Sequence, residues 1–345
     1  MRVGIGLLLL LTILSGCSSV NEPKVFQLKN TTLTDVWPTG SEVPRYRYVG
    51  ELQGEATSDS ISDRSFFEIV VGLITGDPEV FILKRPYDVY VSANNIVYVV
   101  DLALPGVMVF NQNDNTVVIW DEVDNKTSFQ APVGIVGAGN DILVVDTQLA
   151  KVFRFSPAGK LLGSFGSNSL KRPIGIAFDA NTQRIYVSDA GTHTIQVFLL
   201  DGTLVTTIGE YGESLGQFNY PSAIEFSHNK LYVSDTMNAR IQIIDPNNLE
   251  KEVESFGYRG LNVGNTPRPK GVTVDSDGNI YAVESYYGHL LVYNEQGEFL
   301  LPISGKERSI GEFYLPSGVT TDAHDRIYLT DTFNGRVVIL QYLGN

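Results

Sequence analysis

The side chains of this sequence that could do chemistry are four histidines, one cysteine and many carboxylates. The 345 residues include 39 Asp and Glu against 25 Lys and Arg, a formal charge of −14. Acid–base catalysis or metal binding would need several of these groups to meet at one place. Whether they meet depends on the elements that carry them.

The most regular acids end an apolar segment that recurs six times. Each repeat opens at a proline, and the prolines are Pro86, Pro132, Pro173, Pro221, Pro269 and Pro316. An acid follows each proline after 14 to 16 residues, at Asp101, Asp146, Asp189, Asp235, Glu284 and Asp331. Apolar, β-branched and aromatic segments separated by polar turns make each repeat a four-stranded antiparallel meander. Six copies predict an all-β fold, a six-bladed β-propeller.

One alternating segment has no repeat of its own. The sixth repeat offers only three strands before Asn345, so its blade lacks an outer strand. The segment from Arg45 to Leu52 alternates as a strand does. We predict that it completes the last blade and so closes the ring, which removes an open sheet edge.

The repeats resemble NHL repeats. The best matches run from Leu231 to Arg240 and from Ile327 to Arg336, and both contain an Asp-Thr-x-Asn-x-Arg pattern. The resemblance covers about residues 83 to 342, and the first two repeats are looser matches. It implies a six-bladed propeller.

The N-terminus predicts export and lipid attachment. Met1-Arg2 precedes an apolar run that ends at Leu14-Ser15-Gly16-Cys17, a signal peptide that resembles the bacterial lipobox. Cys17 is the only cysteine, so we expect it to carry the lipid anchor. Ser18 after it favours, by resemblance to Gram-negative lipoproteins, the outer membrane facing the periplasm. The predicted organisation is a signal peptide over 1–16, a lipidated cysteine and flexible tether over 17–43, and a propeller over 44–345 with an inserted segment at 54–82.

The histidines do not form a metal site in this arrangement. We define the proline face as the end of the propeller where the six prolines and the loops after the repeated acids lie. His193 and His289 fall on the proline face, whereas His228 and His324 fall on the opposite face, so three imidazoles do not converge. The repeated acids recur in every blade, which favours a structural role in binding loop amides or arginines. We therefore expect no metal and no cofactor, and of the repeated acids only Glu284 is kept as a candidate binding residue.

Two classes of enzyme with related folds offer an enzymatic alternative to a binding function. The amidating lyase of peptide hormones, an NHL-like propeller, has zinc-binding histidines directly after the blade-opening prolines. Here those positions hold no histidine; they are Tyr87, Val133, Ile174, Ser222, Lys270 and Ser317. Calcium-dependent lactonases and esterases use Glu, Asn and Asp at the central channel of other six-bladed propellers. A metal-dependent lactonase, esterase or lyase at the channel remains the alternative.

Aromatic and arginine side chains on the proline face favour a binding function. Such residues are enriched at protein interfaces. The candidate binding residues, all on that face, are Tyr211, Tyr258, Arg259, Arg268, Glu284, Tyr286 and Tyr287. The sequence therefore predicts a membrane-anchored, non-enzymatic module in the cell envelope whose partner is a protein or an extended ligand. Nucleic acid is not an expected partner, because the net charge repels phosphate backbones.

Overall fold

The computed structural model describes residues 23–29, 35–38, 43–55, 81–251, 253–303 and 313–344. Within these ranges the regular elements are strands and two short 3-10 turns, Thr236–Asn238 and Thr332–Asn334. No helix in the described ranges is long and apolar enough to cross a bilayer. The all-β class is confirmed.

The strands follow the six repeats, and we number the blades 1 to 6 from Pro86 to Pro316. The described strands before the first repeat are β1 (Lys24–Val25), β2 (Val36–Trp37) and β3 (Tyr46–Leu52). Blade 1, a small hairpin and blade 2 contribute β4 (Pro86–Val91), β5 (Ile96–Asp101), β6 (Gly106–Asn111), β7 (Thr116–Trp120), β8 (Glu122–Asp124), β9 (Thr127–Ser128), β10 (Pro132–Ala138), β11 (Asp141–Asp146), β12 (Lys151–Phe155) and β13 (Leu161–Phe165). Blades 3 and 4 contribute β14 (Pro173–Asp179), β15 (Arg184–Asp189), β16 (Thr194–Leu199), β17 (Leu204–Ile208), β18 (Pro221–Ser227), β19 (Lys230–Asp235), β20 (Arg240–Ile244) and β21 (Glu254–Phe256). Blades 5 and 6 contribute β22 (Pro269–Val274), β23 (Ile280–Glu284), β24 (His289–Tyr293), β25 (Phe299–Ile303), β26 (Val319–Thr321), β27 (Arg326–Asp331) and β28 (Arg336–Tyr342).

Each blade is an antiparallel sheet with the first strand of its repeat innermost. Blades 2 to 5 pair four consecutive strands in order, and blade 1 adds β1 outside β7. In blade 6 the order is β2-β3-β28-β27-β26. The N-terminal strand β3 thus pairs with the C-terminal strand β28, with Leu52 opposite Val337 and Tyr46 opposite Tyr342. The predicted closure is confirmed.

Part of the segment predicted to be a flexible tether lies against the propeller. β1 pairs with β7, β2 pairs with β3, and the side chains of Phe26 and Trp37 are buried. Phe26 meets Phe110 edge to face at 5.2 Å between ring centroids. Burial of one aromatic side chain stabilises such a short pairing, since it removes a large apolar surface from water. The signal peptide, Cys17 and residues 56–80 of the inserted segment lie outside the described residues.

Apolar side chains fill the spaces between neighbouring blades. The cluster between blades 3 and 4 contains Tyr186, Phe218 and Leu231, all fully buried. Near the axis the blades approach so closely that side chains do not fit: a Cβ on Gly175 would lie 2.5 Å from the carbonyl oxygen of Ser222. The second residue after the proline is accordingly glycine in four of the six blades. This packing fixes the positions of the strand ends on the proline face.

Candidate functional site

The repeated acids bind loop backbone on the proline face. The Asp101 carboxylate accepts hydrogen bonds from the amides of Lys84, Arg85, Ala103 and Leu104, at 2.8 to 3.1 Å. Asp146 accepts four amides of blade 2 in the same way, from Gln130, Ala131, Gln148 and Leu149. These acids tie the loop before strand one to the loop after strand two.

In blades 4 and 6 the acid also binds the arginine of the Asn-x-Arg pattern. Nε of Arg240 lies 2.9 Å from Oδ2 of Asp235, and Nε of Arg336 lies 2.8 Å from Oδ2 of Asp331. Asn238 donates to Asp235 at 2.8 Å. The acids are fully buried and their oxygens are occupied, which gives them the structural role that their repetition predicts.

Glu284 is the counterpart of these acids in blade 5. Its side chain is buried, and it accepts the amides of Tyr286 at 3.1 Å and Tyr287 at 2.6 Å. Burial raises the pKa of the Glu284 carboxyl above its ordinary value, while the two amides act in the opposite direction. Through these two hydrogen bonds the Glu284 carboxylate positions the loop that carries the two tyrosines, and its predicted contact with a ligand stays a prediction.

The four tyrosines predicted from the sequence are exposed. Relative exposures are 66% for Tyr211, 66% for Tyr258, 63% for Tyr286 and 40% for Tyr287. Tyr286 and Tyr287 stand edge to face at 4.8 Å, and Tyr211 meets the ring of His193 at 4.9 Å. Large apolar side chains held in water in this way are costly for folding alone, which is why such clusters mark binding surfaces.

The two candidate arginines lie beside these tyrosines. Arg259 and Arg268 are exposed, on the connection between blades 4 and 5. Nη2 of Arg259 donates to the carbonyl oxygen of Met237 at 2.9 Å. The backbone of blade 4 therefore fixes the direction of the Arg259 guanidinium.

Two further aromatic side chains extend the surface onto blade 6. Tyr314 and Phe333 are 58% and 48% exposed and lie 5.3 Å apart. The guanidinium of Arg85 lies over the Phe333 ring at 5.1 Å, a cation–π arrangement. Tyr314 was not singled out from the sequence, although its place in the lead-in to Pro316 matches that of Asn219 before Pro221. We call Tyr211, Tyr258, Tyr286, Tyr287, Tyr314 and Phe333 the aromatic surface.

The mouth of the central channel opens within the proline face. Its walls are the residues that follow the six prolines, and the space between them that admits water is about 20 Å³. Nζ of Lys270 lies 3.2 Å from Oη of Tyr87 and 5.1 Å from the centre of its ring. The mouth thus presents one ammonium group, that of Lys270, and one carboxyl group, that of Asp88, among apolar and hydroxyl side chains.

Below the mouth, two carboxyl groups line the channel. Asp88 and Glu225 line one cavity, with about 50 Å³ of space that admits water, together with strand-one backbone. Burial raises the pKa of Asp88 to about 7, although the amides of Ile135 and Val89 donate to it. Burial raises the pKa of Glu225 to about 8, and the charge of Asp88 adds to that shift.

Sequence reasoning missed both channel acids. A signal was present for Asp88, because it occupies the position that is glycine in four blades and alanine in blade 4. A comparison of the six first strands would have singled out Asp88. Glu225 is the one charged residue of its strand, Pro221–Ser227.

The described residues bring no three His, Cys, Asp or Glu side chains together around a possible metal position. His193 accepts the amide of Tyr220 through Nδ1 at 3.1 Å, and His228 lies beside the hydroxyl of Ser227 on the opposite face. This set does not fit the sites of about three protein ligands that are usual for catalytic zinc.

Comparison with known proteins supports the repeat family and the fold. The family model for the NHL repeat matches residues 170–198, in blade 3. This chain is a six-bladed β-propeller, and its third repeat matches the NHL model.

Two relatives match part of the chain. Protein brain tumor of Drosophila melanogaster is 29% identical over 143 residues, which is 40% of this chain and 13% of that protein. NHL repeat-containing protein 2 of Gallus gallus is 34% identical over 100 residues, 26% of this chain and 13% of that protein. The chain thus matches only about an eighth of the length of either relative.

Solved bacterial structures resemble about three quarters of this chain. An auxiliary nutrient binding protein from Bacteroides thetaiotaomicron has a TM-score of 0.60 at 10% identity, covering 77% of this chain and 71% of that one. Virginiamycin B lyase from Staphylococcus aureus, as a catalytically inactive histidine-to-alanine variant with quinupristin, has a TM-score of 0.55 at 15% identity, covering 75% and 95%. These similarities show a common fold.

Proposed function

We propose that this propeller is a non-enzymatic binding module that docks a protein or an extended ligand on its proline face. The observation that carries the proposal is the aromatic surface, six large rings held in water on blades 4 to 6 and the loop before them. When a partner covers them, aromatic side chains bury a large apolar surface and lose little conformational entropy.

The opposite face offers a contrast within the same molecule. Its hairpin turns are built from polar residues that bind their own backbone, as in Asp201 with Thr203 and Asn294 with Glu298. Such turns need no partner for stability. The difference between the two faces supports docking on the proline face.

The structural neighbours support a binding function without naming the ligand. One of them is an auxiliary nutrient binding protein, and it shares the fold of this chain. A binding propeller in the envelope of a bacterium agrees with the lipobox-like sequence that ends at Cys17. We infer a lipid anchor there, on the outer membrane facing the periplasm, and no nucleic-acid partner.

Lipid attachment has a direct test. The native chain should incorporate radioactive palmitate and partition with the membrane fraction, whereas Cys17→Ser should lose both properties. Equal labelling of the Cys17→Ser variant would contradict the anchor.

A second candidate is a lyase or hydrolase that acts at the central channel. The observation in its favour is the pair Asp88 and Glu225, because pKa values of about 7 and 8 are suited to proton transfer near neutral pH. A screen of lactones and esters with the native chain and with Asp88→Asn tests it. Turnover lost in the variant would support the enzyme.

Docking can be tested by site-specific photo-crosslinking. A photoreactive phenylalanine analogue at position 286 should give a discrete adduct in the cells that make the chain. The same analogue at position 249, an exposed leucine in a turn of the opposite face, is the matched control. Adducts of equal yield at both positions, or at neither, would contradict docking on the proline face.

A further inference from the structure

The positions around the six blade-opening prolines are positively charged, in a chain that is strongly acidic. The two residues before and the one residue after each proline include six cations and no acid. These cations are Lys84, Arg85, Lys171, Arg172, Arg268 and Lys270. We call them the basic collar.

One member of the collar, Lys270, lines the mouth of the channel. The other five stand one or two residues before strand one, the innermost strand of each blade, and so lie on the proline face outside the mouth. The cations come in pairs from blades 1, 3 and 5, which alternate around the ring. Blades 2, 4 and 6 place uncharged residues there, among them Tyr220, Tyr314 and Leu315.

The collar charges are available to a ligand. Within the described ranges no carboxylate forms an ion pair with any of the six, and all but the half-buried Lys270 are exposed. Arg172 lies over the ring of Tyr220 at 5.3 Å, as Arg85 lies over Phe333. These contacts hold the guanidinium groups in place and leave their charge uncompensated.

Among the described residues, several exposed acids of the same face lie away from the collar. Asp121, Glu122, Asp124, Glu210 and Glu213 follow the fourth strands of blades 1 and 3. The repeated acids of strand two are buried against loop amides. Within the described ranges, the positions that flank the blade-opening prolines are therefore positive, and the exposed acids follow the fourth strands.

We propose that the basic collar receives an acidic, extended polypeptide segment of the partner, with one carboxylate side chain at Lys270 in the mouth. This inference rests on the proposed docking function and names the chemistry of the partner. Charge complementarity selects the acidic residues, and the aromatic surface beside the collar contacts the apolar side chains of the same segment.

The same features favour a peptide over a nucleic acid. The net charge of −14 repels a long polyanion, whereas a segment with a few carboxylates meets a weaker repulsion. The mouth holds one ammonium, that of Lys270, among Tyr87, Ser222 and Ser317, which suits the end of a single carboxylate side chain.

An array of random twelve-residue peptides, probed with the labelled full-length chain, tests the proposal. Retained peptides should be richer in Asp and Glu than the array average. A variant with Arg85, Arg172 and Lys270 all changed to Gln should bind the strongest peptide about tenfold more weakly, as expected for the loss of several exposed ion pairs. The matched control changes Lys160, Arg184 and Lys230, cations at turns of the opposite face, to Gln and should bind within about twofold of the native chain.

The results of the array distinguish failure of the acidic partner from failure of the docking surface. Retention of peptides without acidic enrichment, lost when Tyr258, Tyr286 and Tyr287 become Ala, would overturn the acidic partner and keep the docking surface. Tighter binding of a twelve-nucleotide oligouridine than of any peptide would assign the collar to nucleic acid and overturn the proposal. Retention of no peptide would contradict both, and circular dichroism of each variant verifies that the fold is intact.

Discussion

Arg336 at the start of β28 binds Glu51 of β3, with Nη1 of the arginine 2.8 Å from Oε2 of the glutamate. The same guanidinium binds Asp331 through Nε at 2.8 Å. The two residues Glu51 and Arg336 are 285 positions apart in the chain. One arginine therefore joins the closure of the propeller to the acid that holds the proline-face loops of blade 6.

Breaking this ion pair should destabilise the ring. Glu51→Ala leaves the half-buried Arg336 guanidinium with one carboxylate fewer, and we expect the free energy of unfolding to fall by about 2 kcal/mol, as for a lost hydrogen bond between charged groups. Glu254 forms an exposed pair with Lys230, so Glu254→Ala should cost less than about 1 kcal/mol. Denaturant unfolding of both variants provides the comparison, and equal losses would contradict a special role for Arg336.

Removal of β3 should reopen the propeller. A chain that lacks residues 45–52 loses the buried side chains of Tyr46, Tyr48 and Leu52 and exposes the edge of β28. We expect a clearly lower melting temperature and concentration-dependent aggregation. An unchanged melting temperature would show that closure by this strand contributes nothing to stability.

The repeated acids should matter for stability. Asp146→Ala leaves four amides without their acceptor, which we expect to cost about 3 kcal/mol or more because each buried amide loses its partner. Thermal unfolding checks the size of the loss. A variant of native stability would argue against the structural role and would make Asp146 a candidate ligand contact again.

Stability should depend on pH through the channel acids. The pKa of Glu225 is raised from 4.5 to about 8 in the folded chain, so between these values the folded state holds a proton that the unfolded state has released. The free energy of unfolding contributed by Glu225 is therefore present below pH 4.5 and is lost as the pH rises toward 8.

Glu225→Gln removes this dependence. Relative to the native chain, the variant should gain melting temperature between about pH 5 and pH 8, because it carries no charge to bury. The exposed Glu254→Gln is the matched control. A difference between native chain and variant that is the same at both pH values would contradict the raised pKa.

Local regularity explains which features could be predicted from the sequence. The prolines, the repeated acids and the alternation from Arg45 to Leu52 are local signals, and they predicted the blades and the closing strand. β1 and β2 have two residues each, too few to show the alternation of a strand. The sequence therefore gave no sign that Phe26 and Trp37 are buried. Their pairing depends on the sheet edges that the propeller exposes.

The channel and the collar depend on the closed ring. Asp88 and Glu225 are far apart in sequence and share one cavity only because blades 1 and 4 face each other across the axis. The six collar cations likewise converge through ring closure. Part of the aromatic surface could be predicted, because the loops after strand two and the connections between blades lie on the proline face, but Tyr314 was not singled out. The burial of Glu284 required the positions of the amides of Tyr286 and Tyr287.

The most direct test of the central claim is a quantitative cross-linking pull-down of the native chain from its own membranes, beside two variants. In one variant Tyr258, Tyr286 and Tyr287 are changed to Ala, and in the other Leu249 on the opposite face is changed to Ala. We expect the native chain and Leu249→Ala to capture one specific partner, and the triple variant to lose that partner while the melting temperature of the variant stays that of the native chain. A partner captured equally by all three proteins, or by none, would contradict docking on the proline face.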